Sequence, residues 1–343
     1  MQSKFYKKEG THSIKCLACK HYCTISTNGF GLCGARKNVS NKLELITYSK
    51  PCSLALDPIE KKPLYHFLPG SETMSIGFFG CNFKCDFCQN FDISFTRGTA
   101  AEKALIGAEE VTPQKLIELA LKRKAKSIAI TYNEPAISAE YNLESFKLAH
   151  ENKLSTIYVS NGYISGEQIK SLIKKETKLD AINVDLKSFN SEFYRKTCGG
   201  ELESVLDCIK LIHKKGIHIE LTTLVIPGKN DSPLELKQIA DFIASIDKNI
   251  PWHVSAFFPM HKMTNISPTS TSEIASTVKI GKENGLNFVY GGNLHTSEFS
   301  NTFCPNCNNL LIKREGYNCE IVGLGEKEKN KCNKCGAKIE GVF

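Results

Sequence analysis

Cys81, Cys85 and Cys88 stand in the stretch GCNFKCDFCQN with the spacing C-x3-C-x2-C. Thiolates this close can hold one metal centre between them. The next cysteine along the chain is Cys198, whereas a structural zinc site or an ordinary iron–sulfur cluster takes four protein ligands. One metal position is therefore left open. An iron held by three cysteines can bind a substrate or cofactor there, by the logic that separates open catalytic zinc sites from closed structural ones.

The chain has 15 cysteines in 343 residues, too many for packing alone. Its start, MQSKFYKKEG, is polar and basic and carries no export signal, so the thiols read as metal ligands in a reducing cytoplasm rather than as disulfides. A second group, Cys16, Cys19, Cys23 and Cys33, lies in CLACKHYCTISTNGFGLCGAR, where glycines supply tight turns and four thiolates would close a tetrahedral site. His21 is a spare ligand there, and softness admits either zinc or an iron–sulfur cluster. A third group, Cys304, Cys307, Cys332 and Cys335, forms two C-x2-C knuckles around β-like YNCEIVGL, the pattern of a zinc ribbon with a closed four-thiolate zinc site. Cys319 inside it reads as a packed small side chain. The ribbon mixes lysines with Glu315, Glu320, Glu326 and Glu328 and has few aromatics for stacking bases, which argues against nucleic acid and for a structural or partner-docking element.

These sites must be positioned by the elements around them. From Met74 onward seven strand-like runs (SIGFF, SIAIT, TIYVS, AINVDL, HIELTTLVI, WHVSAFF, LNFVY) alternate with six amphipathic helical stretches. Thr112 before Pro113, Ser165 before Gln168 and Ser232 before Pro233 are helix starts, and Gly216 and Gly285 are stops. Strict alternation predicts a parallel sheet with right-handed crossovers. Six units are too few for a closed eight-fold barrel and permit an open doubly wound sheet or a partial barrel. Before this region LELITY and CSLAL alternate like short strands, and DPIEKKPLYHFLPG, with prolines at 58, 63 and 69, reads as an ordered linker. Composition is 41% hydrophobic and 23% charged, with no apolar run long enough to span a bilayer, so no membrane role is expected. A net charge of +8 over this length is mild and predicts solvated lysines rather than a nucleic-acid footprint.

In either architecture chemistry gathers at the carboxyl ends of the strands. The second strand is followed by TYNEP, with Tyr132, Asn133 and Glu134; the third by Ser160 and Asn161; the fourth ends in Asp185 and Lys187, which period-two alternation puts on one face. Such a pair is costly to bury unless it meets a charged ligand or its own partner. LVIPGKND brings Val225, Ile226 and Gly228, FFPMHKM brings His261, and VYGGNLH brings Asn293 and His295 to the rim.

The cysteine spacing, Phe87 just before the third cysteine and the strand SIGFF leading into the turn resemble the cluster motif of the radical S-adenosylmethionine (radical SAM) superfamily. The resemblance decides for an α/β fold built on a partial (β/α)6 TIM-like barrel. It implies a [4Fe-4S] cluster on Cys81, Cys85 and Cys88, whose open iron chelates S-adenosyl-L-methionine. TYNEP stands where the superfamily usually carries Gly-Gly-Glu-Pro, so Glu134, with Asn133, is expected at the methionine ammonium group. Phe87, Gln89, Ser160 and Asn161 are expected near the cofactor. Asp185 and Lys187 resemble the position in pyruvate formate-lyase activating enzymes that meets the ribose and the methionine carboxylate, and Ile226 and His261 fall where adenine and adenosine are met. The implied activity is reductive cleavage of S-adenosylmethionine to a 5′-deoxyadenosyl radical that takes hydrogen from a small organic substrate. An activase acting on a glycine of a partner protein is the alternative, and a zinc-ribbon binding or scaffold protein a second. No residue is assigned as catalytic.

Across the whole chain, the N-terminal cysteine box, the linker, the cluster turn, TYNEP, DLK and the ribbon resemble the radical SAM member of the AmmeMemoRadiSam system. That implies AMMECR-type and Memo-type partners, besides an electron donor such as flavodoxin or ferredoxin. The expected division is a cysteine-rich module over 1–70, a radical SAM core over 71–298 and a zinc-ribbon module over 299–343, in a cytoplasmic protein.

Overall fold

The computed structural model describes every residue except Lys327. Its largest sheet has eight strands: β1 (Ser53–Pro58), β2 (Glu72–Gly77), β3 (Ser127–Ile130), β4 (Ser155–Ser160), β5 (Ala181–Asp185), β6 (His218–Val225), β7 (Trp252–Ala256) and β8 (Val289–Gly292). They lie side by side in chain order; β1 is antiparallel to β2, and all later neighbours are parallel. A doubly wound sheet reverses strand order at a switch point, so the unbroken order selects the partial barrel. Strands such as SIAI and WHVSA are buried at every position, as parallel strands covered on both faces must be.

The covering helices follow the strands: α1 (Pro113–Lys122), α2 (Ala139–Glu151), α3 (Gly166–Leu172), α4 (Leu202–Lys214), α5 (Pro233–Ile246) and α6 (Thr271–Glu283). Their starts are chemical. Thr112, Ser165, Ser232 and Ser270 each accept the N–H three residues on with the side-chain oxygen, and Ser270 with Glu273 completes a capping box. Among the described residues no helix is long and apolar enough to cross a membrane.

The first 52 residues add a three-stranded sheet (Tyr6–Glu9, Ser13–Cys16, Thr24–Ser26) and a hairpin (Arg36–Val39, Lys42–Leu45). LELITY is strand only as far as Leu45, while CSLAL becomes the antiparallel edge of the main sheet as β1. Arg36, 1% exposed, fixes this segment to α2 by forking onto Glu140, with Nη2 to Oε2 at 2.7 Å and Nη1 to Oε1 at 3.1 Å. The linker is tied down by Glu220 of β6, whose buried carboxylate accepts the N–H groups of Tyr65 (2.9 Å) and His66 (2.7 Å). At the far end Thr302–Phe303, Leu310–Glu315 and Asn318–Ile321 form a small antiparallel sheet. It is docked by buried Arg314, which donates to the Tyr65 carbonyl at 2.8 Å and stacks 4.1 Å from that ring's centre.

Candidate active-site cavity

β2 delivers the chain into the cysteine turn, and backbone contacts fix the turn's shape. Gly80 has φ +95°, and a Cβ there would lie 2.3 Å from the carbonyl oxygen of Cys33, so only glycine fits. Its N–H donates to Ile93 O at 2.9 Å, the Asn133 amide donates to the carbonyls of Phe78 and Gly80, and Arg97 donates to that of Phe83. From the other side Lys84 N donates to Cys198 O (2.7 Å) and Asp86 N to Thr197 O (3.1 Å). The result is a rigid cup. Cys81, Cys85 and Cys88, all free thiols, line one cavity of about 480 Å³ at the carboxyl ends of the strands, with Phe83 and Phe87 between them.

Electrostatics favour a cation among these thiols. Burial and the nearby Glu134 push Cys81 up, Cys198 and burial push Cys85 well up, and burial pushes Cys88 up, so the thiols hold their protons unless a positive centre replaces them. Lys187 lies beside them, its Nζ 2.8 Å from Asp185 Oδ2 and 5.7 Å from the Phe87 ring centre. Burial works against its charge, but Asp185, Cys85 and Cys198 outweigh burial and hold it protonated well above the ordinary lysine range. The donor set therefore fits an iron–sulfur centre: soft, buried, convergent thiols, with one lysine to balance the negative charge.

Of the other residues named from the sequence, Phe87, Gln89, Tyr132, Asn133, Asn161, Asp185, Lys187 and Asn293 line this cavity. Glu134 and Ser160 do not. The Glu134 carboxylate is fully buried behind the wall, accepting from Ala136 N (2.9 Å), Asn161 N (2.8 Å) and Ser160 Oγ (2.9 Å), and burial pushes it up to about 7 against those bonds. Ile226 is buried just beyond β6, its N–H bonded to Asn230 Oδ1 at 2.7 Å, while Leu224 on the same strand reaches the cavity. His261 also lies off the cavity lining, stacked 4.9 Å from Phe91, with its buried Nε2 unpartnered.

Tyr132 keeps the left-handed backbone, φ +72°, that suits the glycine expected at this point of the motif. Its hydroxyl donates to Asp57 Oδ2 at 2.8 Å, and Lys62 Nζ lies 2.7 Å from the same oxygen and 4.8 Å above the tyrosine ring. Through this contact the linker supplies Lys61, Lys62 and Pro63 to the cavity, and the C-terminal hairpin supplies Tyr317. None of these was singled out from the sequence; a Glu-Lys-Lys run between prolines, in a segment too irregular to be a helix face, was the available signal.

The terminal cysteine sets differ in their spacing. Among the described residues, Cys304, Cys307, Cys332 and Cys335 are the one group of three or more His, Cys, Asp or Glu residues whose ligand atoms all lie within 4.8 Å of one another. Sulfur pairs there are 3.6 Å (Cys304 and Cys335) and 3.7 Å (Cys307 and Cys332) apart, close to the ~3.8 Å that 2.3 Å zinc–sulfur bonds at tetrahedral angles require. Cys16, Cys19, Cys23 and Cys33 border a common small void next to Arg36.

Comparison with known proteins agrees with this geometry. Residues 75–243 match the family model described as the Radical SAM superfamily. An uncharacterized protein of Methanocaldococcus jannaschii is 37% identical over 343 residues, covering 100% of this chain and 99% of that one. GTP 3′,8-cyclase of Lactiplantibacillus plantarum is 25% identical over 263 residues, with 69% of this chain and 74% of that one covered. The pyruvate formate-lyase-activating enzyme of Listeria monocytogenes is 23% identical over 198 residues, with 54% of this chain and 76% of that one covered. The chain belongs to the radical SAM superfamily and is an S-adenosylmethionine-dependent iron–sulfur enzyme of that superfamily.

Proposed function

We propose that the chain uses a [4Fe-4S] cluster on Cys81, Cys85 and Cys88, together with S-adenosylmethionine, to take a hydrogen atom from a small organic substrate. The observation that carries this is the convergence of three free, buried or half-buried thiols on one cavity, beside the Asp185 and Lys187 pair. Cluster and S-adenosylmethionine together supply the one-electron chemistry, a reductive sulfur–carbon cleavage that yields 5′-deoxyadenosyl and methionine. The rest is positioning. Lys187 offers a fixed positive charge to the methionine carboxylate and Asp185 accepts from ribose hydroxyls. Phe87 and Gln89 wall the cluster side. Glu134 and Ser160 act as positioning residues: the Glu134 carboxylate accepts from Asn161 N and Ala136 N, and Ser160 Oγ donates to that carboxylate, which sets the two turns that present Asn133 and Asn161. The resemblance extends adenosine recognition to Ile226 and His261; in this structure Leu224 supplies the apolar wall on that side.

A small substrate is favoured by the roof. Lys61, Lys62, Pro63 and Tyr317 narrow the mouth of a cavity whose ~480 Å³ lies within the range of small-molecule sites. Cys304, Cys307, Cys332 and Cys335 form a closed structural zinc site, so the ribbon over 299–343 acts as part of this roof. The module over 1–70 lends β1 to the core over 71–298 and is not independent of it. An electron donor of flavodoxin or ferredoxin type serves the cluster. The full-chain resemblance to the radical SAM member of the AmmeMemoRadiSam system makes AMMECR-type and Memo-type proteins the partners to test.

The second reading is an activase that acts on a glycine of a partner protein, favoured by the Listeria monocytogenes relative. The two separate when the reaction is run with perdeuterated cell extract split into protein and small-molecule fractions. Deuterium should enter 5′-deoxyadenosine from the small-molecule fraction. Delivery from the protein fraction, with a persistent glycyl radical, would overturn the first reading in favour of the second.

A further inference from the structure

Apart from its cysteines, the cavity wall carries charge in two places. Asp185 and Lys187 lie beside the thiols, and Lys61 and Lys62 reach in from the linker that roofs the cavity. The rest of the wall is uncharged, with Thr131, Thr222, Ser255 and Asn293 offering hydroxyl and amide groups. The first pair is balanced within itself, Lys187 Nζ standing 2.8 Å from Asp185 Oδ2. The roof is not.

Two ammonium groups share one carboxylate there. Lys61 Nζ lies 2.8 Å from Asp57 Oδ1 and Lys62 Nζ 2.7 Å from Asp57 Oδ2, and the Tyr132 hydroxyl donates to Oδ2 as well. Among the described residues Asp57 is the sole ion-pair partner of either lysine. Glu60, next to Lys61, is engaged elsewhere: its Oε1 accepts from Gly70 N at 2.8 Å and faces Arg314 Nε at 3.8 Å. One Asp57–Lys62 pair would be enough to fasten the linker, and the second lysine adds a charge that the protein leaves unmatched. The Lys62 side chain is 2% exposed and that of Lys61 47%. Burial holds Lys62 below the ordinary lysine range; Asp57 works against burial and Lys61 works with it.

The roof is joined to the cysteine turn through Tyr132. Lys62 Nζ stands 4.8 Å above the Tyr132 ring, and the Tyr132 carbonyl accepts from the side-chain amide of Asn90, two residues after Cys88. Tyr317 of the C-terminal hairpin adds a phenol hydroxyl to the same rim. Paired ammonium groups of this kind act as point charges that receive an oxyanion. A ligand held by them faces the space that the thiols also face.

We propose that the substrate is an anion: a small molecule whose carboxylate or phosphate group is held at the roof by Lys61 and Lys62, with the rest of the molecule directed toward the cysteine turn. The oxyanion supplies the negative charge that Asp57 alone does not, and it offsets the cost of keeping Lys62 charged in a buried position. The two lysines bind and orient, and they transfer no proton. The role as substrate rests on the radical reading of the cavity; the anion site does not.

The test splits the small-molecule fraction of perdeuterated extract on an anion-exchange resin and brings the retained and unretained halves to one ionic strength. Wild-type protein, cluster-loaded without oxygen and saturated with S-adenosylmethionine, is treated with an amine-acetylating reagent in the presence of each half. Peptide mass spectrometry compares Lys61 with Lys115, whose side chain is 53% exposed on α1. The retained half should slow Lys61 labelling by about five-fold or more, the effect of a ligand at about four times its Kd, and leave Lys115 unchanged. Phosphatase treatment of that half separates the two sources: protection that disappears identifies a phosphate ester, and protection that persists a carboxylate. No selective protection of Lys61, or protection by the unretained half, overturns the proposal, and neither result needs a variant to fold. Deuterium transfer reads the radical step separately. It should reach 5′-deoxyadenosine from the retained half, and Lys61→Gln should need about 10-fold more of that half for the same transfer. Protection without any 5′-deoxyadenosine sinks the radical reading and keeps the anion site; deuterium from the unretained half sinks the anionic substrate and keeps the radical reading.

Discussion

Replacing Glu220 with glutamine strikes the joint between barrel and linker. The carboxylate is fully buried and accepts four hydrogen bonds: from Tyr65 N (2.9 Å), His66 N (2.7 Å), His218 Nε2 (3.0 Å) and His253 Nε2 (2.7 Å). Glutamine keeps one acceptor oxygen and turns an NH2 group toward the remaining donors. At least one backbone N–H and one imidazole are then left facing a donor, at about 1–3 kcal/mol each. The expected loss is about 3–5 kcal/mol, as for a buried charge network broken on one side. Urea unfolding at pH 7, followed by far-ultraviolet circular dichroism on metal-loaded protein, reads it.

The pH dependence follows from the sign of the shift. Burial opposes the Glu220 charge, but His218 and His253 outweigh burial and hold the carboxyl well below the usual carboxylate range. A depressed folded value means that the stabilisation is complete above the unfolded value of about 4.3 and is lost as pH falls through the lower folded value. The gap between wild type and Glu220→Gln should thus be largest above about pH 5 and shrink below about 4. A gap under about 1 kcal/mol at pH 7, or one that does not shrink in acid, refutes the reasoning.

Other perturbations follow the same logic. Lys187→Met keeps the side chain's bulk and removes a charged donor worth about 1.5–3 kcal/mol, so S-adenosylmethionine should bind about 10- to 100-fold more weakly in equilibrium dialysis; an unchanged Kd removes Lys187 from the site. Arg36→Met strands the Glu140 carboxylate, which is held low by Arg36 against burial, and should cost about 3–5 kcal/mol in urea unfolding. The double variant Arg36→Met/Glu140→Leu should recover most of that cost, and no recovery means that the pair is not the cause. Cys335→Ser should release about one zinc per chain while the barrel's circular dichroism persists; retained zinc contradicts the closed ribbon site.

The barrel was legible because its signals are local. Each expected strand run overlaps one of the observed strands β2 to β8, the first starting three residues late and the last three residues early, and Thr112, Ser165 and Ser232 cap the helices their side chains announced. Strand order was not legible, since alternation alone admits two windings and only hydrogen-bond neighbours decide between them. In the site, the cysteine turn and the Asp185 and Lys187 pair read correctly as neighbours because each lies within a few residues of sequence. The orientation of Glu134 was not legible: the motif places it beside the cavity, and its carboxylate accepts from the N–H groups of Ala136 and Asn161, a choice made by backbone geometry. Cys198 was invisible as a neighbour of Cys85, because the contact is made across the loop that follows β5. Lys61 and Lys62 reach the cavity because Asp57 and Tyr132 hold Lys62 and because Glu220, on a strand more than 150 positions later, pins the same linker at Tyr65 and His66.

The most direct measurement on the central claim is 5′-deoxyadenosine formation by the chain reconstituted without oxygen with iron and sulfide, then given S-adenosylmethionine and a strong reductant. Wild type is predicted to release 5′-deoxyadenosine and methionine, and Cys85→Ala to lose both the cavity cluster and the product. Cluster-loaded wild-type protein that forms no 5′-deoxyadenosine would contradict the account.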